Sequence, residues 1–259
     1  MKILTVGDVV GRPGREAVTE LLPGLIETHD VSFVLVNGEN LAGGSGLTPD
    51  TVNTLFDAGV DCISSGDHCY RQKTILPVLE TDARVLRPAN FPKQASGKGF
   101  TILEGRRGER VGVVNLLGRV FMKPIDDPFA AVDAALSKLA GDTDVILIDM
   151  HAEATSEKIA MGWYLDGRVT AVLGTHTHVQ TADETVLPNG TAYITDLGMT
   201  GPHRSVLGRS VEKVVRALTT GMPTHFDIAE DDVRLCGALV TADTTSHKAT
   251  AIERIVAKK

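Results

Sequence analysis

An α/β fold whose sheet is covered on both faces is what this 259-residue sequence predicts. Three features carry the expectation. Short apolar runs recur along the chain, amphipathic stretches of helical period separate them, and only the C-terminal third alternates polar with apolar residues. In chain order, "KILTVGD" is the first predicted strand. "RPGREAVTELLPGLIETH" follows as a helix with Val18, Leu21, Leu22, Leu25 and Ile26 on one side. "VSFVLVNGEN" is the second strand, and "TPDTVNTLFDAGV" a helix with Thr48 as N-cap and Pro49 in its first turn. "DCISSGDH" is a third strand running into a loop. "GERVGVVNLLG" and "TDVILIDMHAE" are strands on either side of the helix "DPFAAVDAALSKLAG", and "VTAVLGTHTH" and "TAYITDLG" come next. From "HFDIAEDDVRLCGALV" onward the pattern predicts antiparallel strands at a sheet edge. No linker, repeat or low-complexity segment interrupts the chain, so one domain over residues 1–259 is expected.

Bulk composition narrows the function classes. Hydrophobic residues make up 42% and charged residues 23%, as in ordinary globular chains. With 33 acidic against 26 basic residues the net charge is −7. That balance argues against stable nucleic-acid binding through phosphate neutralisation, but leaves room for a small anionic substrate beside a bound metal. Cys62, Cys69 and Cys236 form neither a disulfide framework nor a C-x-x-C site, which predicts a reducing compartment. No apolar run reaches the roughly 20 residues of a membrane span. The N-terminus reads as a strand rather than a signal peptide, and a cytoplasmic protein is expected.

The polar residues at the strand ends carry the chemistry. Asp8 ends the first strand, Glu39 and Asn40 the second, and Asp67 and His68 the third. His151 ends "VILIDM", and His176 with His178 end "VTAVLG". In open α/β sheets, ligands bind beyond the carboxyl ends of the strands. Five strand ends, each offering carboxylate, amide or imidazole, make a ligand set suited to iron, manganese or zinc. Three imidazoles with three carboxylates exceed what one ion needs, so two ions are expected, clamping the oxygens of an in-line displacement. His68 is then spare, and a histidine beside a phosphoryl group is suited to protonate a departing oxygen.

These residues sit in blocks that resemble a known family. "GDVVGRPGR" (7–15), "NGENLAGGSGLT" (37–48), "SGDH" (65–68), "LGRVFM" (117–122), "HAEATSEK" (151–158), "GTHTHVQTADE" (174–184) and "ITDLGMTGP" (194–202) occur in order. Together they resemble the YmdB-like branch of the calcineurin-like metallophosphoesterases over nearly the whole chain. The resemblance implies a four-layer αββα sandwich with two metal ions, usually iron, with manganese or zinc as alternatives. It also implies phosphodiesterase activity on 2′,3′-cyclic nucleotides or similar small phosphodiesters, opening the ring to leave a 3′-phosphate through a metal-bridging hydroxide. Carried over by position, Asp8, Glu39, Asn40 and His178 hold one ion. Glu39 bridges to a second held by Asp67, His151 and His176, and His68 is the proton donor. A homo-oligomer is expected. Phosphomonoesterase activity, or a regulatory role that keeps the metal fold, are the alternatives.

Two departures stand out. Val10 replaces the histidine of the superfamily's Asp-x-His, as in this branch, with Asn40 in the vacant place. Asp67 stands where the family pattern "GNH" has asparagine. Outside the blocks, Glu153 is expected to cap a helix or orient His151, and His29, His203, His225 and His247 to be exposed. Cys69 is expected to be a packing residue. The glycines of "NLAGGSGLT" form either a phosphate cradle or an ordinary loop. "GDVVGRPGR" is not a dinucleotide fingerprint.

Overall fold

The computed structural model describes residues 1–259. Its elements begin with β1 (Lys2–Val6), β2 (Asp8–Val9), α1 (Gly11–His29), β3 (Phe33–Asn37), α2 (Pro49–Asp57), β4 (Cys62–Ser64) and α3 (Leu76–Thr81). Then come β5 (Phe100–Glu104), β6 (Arg110–Leu117), α4 (Pro128–Leu139), β7 (Val145–His151), α5 (Thr155–Leu165), β8 (Ala171–Thr175), β9 (Thr185–Val186) and β10 (Ala192–Ile194). The chain finishes with β11 (Met199–Pro202), α6 (Val211–Thr220), β12 (Val233–Asp243) and β13 (Lys248–Lys258).

Two mixed sheets result. In the first, β1, β3 and β4 are parallel neighbours, β12 runs antiparallel to β1, and β13 lies outside β12. The short pair β2 and β11 joins the same sheet. The second sheet has the order β5-β6-β7-β8-β10-β9, parallel through its middle with antiparallel edge strands.

Side-chain alternation turns these sheets into four layers. Along β3, Phe33 and Leu35 point into the space between the sheets, while Val34 and Val36 pack toward α1 and α2. Along β6 and β7, Val113 and Leu147 meet the first sheet, whereas Val114 and Ile148 pack under α4 and α5. Each parallel strand is therefore buried on both sides, which is why it reads as an unbroken apolar run. Every such side chain withdrawn from water contributes about 1.5–3 kcal/mol. The order helix, sheet, sheet, helix is the predicted sandwich.

Local signals mostly hold. Thr48 caps α2, its hydroxyl accepting from the Thr51 N–H, with Pro49 behind it. Asp127 caps α4 by accepting from the Phe129 N–H at 2.9 Å. The C-terminal expectation needs correcting in part. β13 is an edge strand and alternates, but β12 is interior, with Leu235 through Val240 all buried. β12 looks polar only at its ends, because its centre serves two layers at once. α3, β5, β9, β11 and α6 have no counterpart in the sequence reading. No helix is long and apolar enough to cross a membrane.

Candidate metal centre

All eight predicted site residues converge where the parallel strands end. Asp8 opens β2, Glu39 and Asn40 follow β3, and Asp67 and His68 follow β4. His151 is the last residue of β7, and His176 and His178 lie just past β8. Ligating atoms of Glu39, Asp67, His151 and His176 all fall within 4.8 Å of one another, a spacing that could hold a metal ion. Asp8 and His178 approach to 3.7 Å beside them, with Asn40 Nδ2 3.3 Å from His178 Nε2 and 3.0 Å from Glu39 Oε1. Glu39 thus lies between the two groups.

The backbone is shaped to allow this. A Cβ added to Gly66 would lie 2.2 Å from the His151 ring and 2.3 Å from Glu39 Oε2, so no side chain fits there. His176 and His178 both have positive φ, 97° and 64°. For non-glycine residues such conformations cost on the order of 1–3 kcal/mol and persist only where the surroundings enforce them. Here the enforcing groups are visible. Asp8 Oδ2 accepts from the His176 N–H at 3.0 Å. Asp196 Oδ2 accepts from both the Thr177 N–H (3.0 Å) and the Thr177 hydroxyl (2.6 Å). Asp196 in turn pairs with Lys158 at 2.7 Å, and both side chains are completely buried. Two oppositely charged groups hidden in the core thereby hold the residue between the two histidines.

Each imidazole is oriented by an oxygen on its far side. His151 Nδ1 donates to Thr175 Oγ1 (2.9 Å), whose own hydroxyl donates to Asp149 Oδ1 (2.7 Å). Asp149 also accepts from Asn37 at 2.9 Å and from the Ser64 hydroxyl, so four strands from both sheets support this ring. His176 Nε2 lies 3.2 Å from Glu153 Oε2. His178 Nδ1 donates to the Leu207 carbonyl at 3.3 Å. In all three, the remote nitrogen is tied to an oxygen, so the nitrogen facing the cluster is the one that would ligate a metal ion, the arrangement expected of metal-ligating histidines.

The electrostatics are unbalanced. Burial opposes the charges of both Glu39 and His151, but their mutual attraction at 3.1 Å prevails. It holds the Glu39 carboxyl well below its usual range and the His151 imidazole well above. Burial, reinforced by the nearby Asp196 and Glu39 carboxylates, pushes the Asp8 carboxyl up despite His178 and His151. Within the cluster, two carboxylate oxygens, Asp8 Oδ1 and Asp67 Oδ1, are buried with no hydrogen-bond partner. An orphaned buried carboxylate oxygen is costly unless a cation completes it. One such oxygen lies on each side of Glu39.

His68 is placed differently. Its Nδ1 is 2.8 Å from Asn40 Oδ1 and 3.1 Å from Glu39 Oε1, and the ring is about a quarter exposed. The hydrogen bond to Glu39 raises its pKa above the ordinary imidazole value. Its Nε2 has only Asp67 Oδ2 nearby, at 3.9 Å, and is otherwise open.

Several expectations change. Glu153 neither caps α5, whose N-cap position is Ala154, nor touches His151; it holds His176. His203 is half-buried against the Met199 carbonyl and Cys236 Sγ rather than exposed, and His29 is half-buried too. His225 and His247 are exposed, and Cys69 is a buried packing residue, as expected. Lys158, Asp196, Asp149 and Thr175 were missed. Only Asp149 left a signal, a lone carboxylate within the apolar strand "VILIDM".

A two-sheet sandwich with a carboxylate–imidazole cluster beyond its strand ends defines the metallophosphoesterase class. Within that class the chain belongs to the YmdB-like protein family, whose model matches residues 4–255. It is 46% identical over 256 residues to a Bacillus subtilis protein named 2′,3′-cyclic-nucleotide 2′-phosphodiesterase, covering 99% of this chain and 97% of that one. Among solved structures it is similar to a hypothetical protein from Thermus thermophilus, with 42% identity, a TM-score of 0.94 and full coverage of both chains. It is also similar to a phosphatase from Mycoplasma pneumoniae, with 34% identity and a TM-score of 0.93, covering 100% of this chain and 93% of that one.

Proposed function

We propose that this chain is a metal-dependent phosphodiesterase that opens 2′,3′-cyclic nucleotides or similar small phosphodiesters. The observation that carries the reading is the pair of orphaned carboxylate oxygens, Asp8 Oδ1 and Asp67 Oδ1, one on each side of Glu39. The donor set fits two cations, with iron expected and manganese or zinc able to substitute. Asp8, Asn40 and His178 would hold one, Asp67, His151 and His176 the other, and Glu39 would be shared. Such ions neutralise phosphoryl charge and activate water at neutral pH.

The chain's own residues supply the remainder. Thr175, Glu153 and Leu207 fix the ring orientations of the three histidines, so that no reorganisation is needed when substrate arrives. Asn40 and Glu39 anchor Nδ1 of His68 and leave Nε2 to carry a proton toward the departing 2′-oxygen. Partial exposure of that ring lets the proton be replenished from solvent. The similarity to a protein named as a cyclic-nucleotide phosphodiesterase supports the substrate class.

The test is metal analysis of purified protein together with a screen of phosphodiesters and phosphomonoesters. Two ions per chain, with 2′,3′-cyclic nucleotides turned over faster than monoesters, is the expected outcome. Preference for monoesters would replace the reading with a phosphatase.

A further inference from the structure

On the Asp67 side of the cluster lies a cavity of about 360 Å³, within the range of small-ligand sites. Asp67 is its only acidic lining residue and pairs only with histidines of the cluster. The remaining wall is largely apolar, built by Tyr70, Phe91, Leu117 and Ile125, with Arg71 and Lys123 as exposed cations. The Tyr70 and Phe91 rings lie 5.6 Å apart, tilted by 39°. Tyr70 is pinned because its hydroxyl donates to the Ser96 carbonyl at 2.6 Å.

The walls are tied together in advance. Asn90, buried beside Phe91, donates to the carbonyls of Leu117 (2.7 Å) and Asp126 (3.0 Å) and accepts from the Leu117 N–H (2.9 Å). One amide therefore links the segment that carries Phe91 to the one that carries Ile125. Downstream of Leu117, Glu157 accepts from the Arg119 and Val120 N–H groups. The cavity is preorganised rather than assembled on demand.

We infer that this cavity binds the nucleobase of the nucleotide whose phosphoryl group sits at the cluster, an inference that rests on the phosphodiesterase reading. A purely apolar substituent would have no use for Arg71 and Lys123, and a bare sugar would have none for two aromatic rings. A planar base joined to an anionic phosphate uses both, stacking on the aromatic wall while the cations attract the charge. Phe91 is then a specificity-determining residue, and Ile125 contributes from a second segment of the wall.

Calorimetry on metal-loaded protein tests this with two probes, adenosine 3′-monophosphate and inorganic phosphate. The wild type should bind the nucleotide more tightly than phosphate. Phe91→Ala should weaken the nucleotide roughly tenfold, within the range of base–aromatic stacking, and leave phosphate unchanged. Ile125→Ala should act in the same direction and provides the second variant if Phe91→Ala unfolds. Equal wild-type affinities, no nucleotide binding, or parallel loss of both probes in the variants overturns the inference. Nucleotide binding of this kind without hydrolysis of any 2′,3′-cyclic nucleotide would sink the phosphodiesterase reading and leave the base pocket standing. Hydrolysis that Phe91→Ala and Ile125→Ala leave unaltered for nucleotides and base-free cyclic diesters alike would do the reverse.

Discussion

Lys158 and Asp196 are as deeply buried as Asp8 and Glu39, yet the two groups handle their charge in opposite ways. Lys158 and Asp196 cancel one another at 2.7 Å, and Thr177 and the Gly198 N–H occupy the remaining oxygen positions. Nothing there calls for a ligand. At the cluster, three carboxylates face each other with no lysine or arginine paired to them, only histidines, and two buried oxygens have no partner. A closed ion pair positions the chain, whereas an open one waits for something to bind. The contrast is the more instructive because the closed pair holds the loop of the open one.

The largest effect should come from breaking the closed pair. Lys158→Met leaves Asp196 buried and uncompensated and should cost about 3–5 kcal/mol, read by urea unfolding of metal-free protein. Replacing both residues, Lys158→Met with Asp196→Leu, should recover part of the stability but not the Thr177 tether. A Lys158→Met protein as stable as wild type would show that the pair is not structural.

His68→Ala tests the other side and should leave fold and metal content alone. Turnover should fall roughly 10²–10⁴-fold, the usual worth of general acid catalysis. The loss should shrink for nitrophenolate leaving groups, which need no proton. An equal loss for good and poor leaving groups would assign His68 another task.

Asp8→Asn should separate the two kinds of burial by sign. Burial raises the Asp8 pKa in the folded chain, so this carboxyl supports the fold fully only below the ordinary aspartate range. That support is lost as pH rises through the raised value. In metal-free protein at neutral pH the substitution should therefore raise the melting temperature by a few degrees, while weakening metal retention. A drop in the metal-free melting temperature would place Asp8 with the structural charges.

The smallest effect is expected at Asp67, which adds a third carboxylate where the family pattern has an amide. One of its oxygens is orphaned and the other faces only His68. Asp67→Asn should retain both ions and be at least as active as wild type, with the acidic limb of the pH–rate profile shifted lower and the alkaline limb unchanged. Loss of one ion with collapse of activity would show that the protein depends on its aspartate.

Much of this is readable from residue order because strand ends are local features. An apolar run followed by Glu39-Asn40, or by His176 and His178, places ligands on one rim without any knowledge of packing. What escapes such reading depends on contacts far apart in the chain. Lys158 sits on an ordinary-looking helix face and meets Asp196 only after 38 residues. Leu207 reaches His178 through a loop that carries no pattern. β12 reads as an edge because its end residues are polar, although its centre lies between two layers. Burial of charge is set by the assembled fold, so the closed pair becomes visible only once the layers are in place.

Calorimetric titration of chelator-stripped protein with Mn²⁺, repeated across pH and in buffers of different ionisation enthalpy, asks directly whether the open cluster is built for cations. In metal-free protein, attraction to Glu39 outweighs burial and keeps a proton on His151. An incoming ion must displace that proton, so affinity should rise with pH and binding should release protons to the buffer. Two ions per chain with measurable proton release is the expected result. Binding that is absent, limited to one ion, or independent of pH and buffer would contradict it.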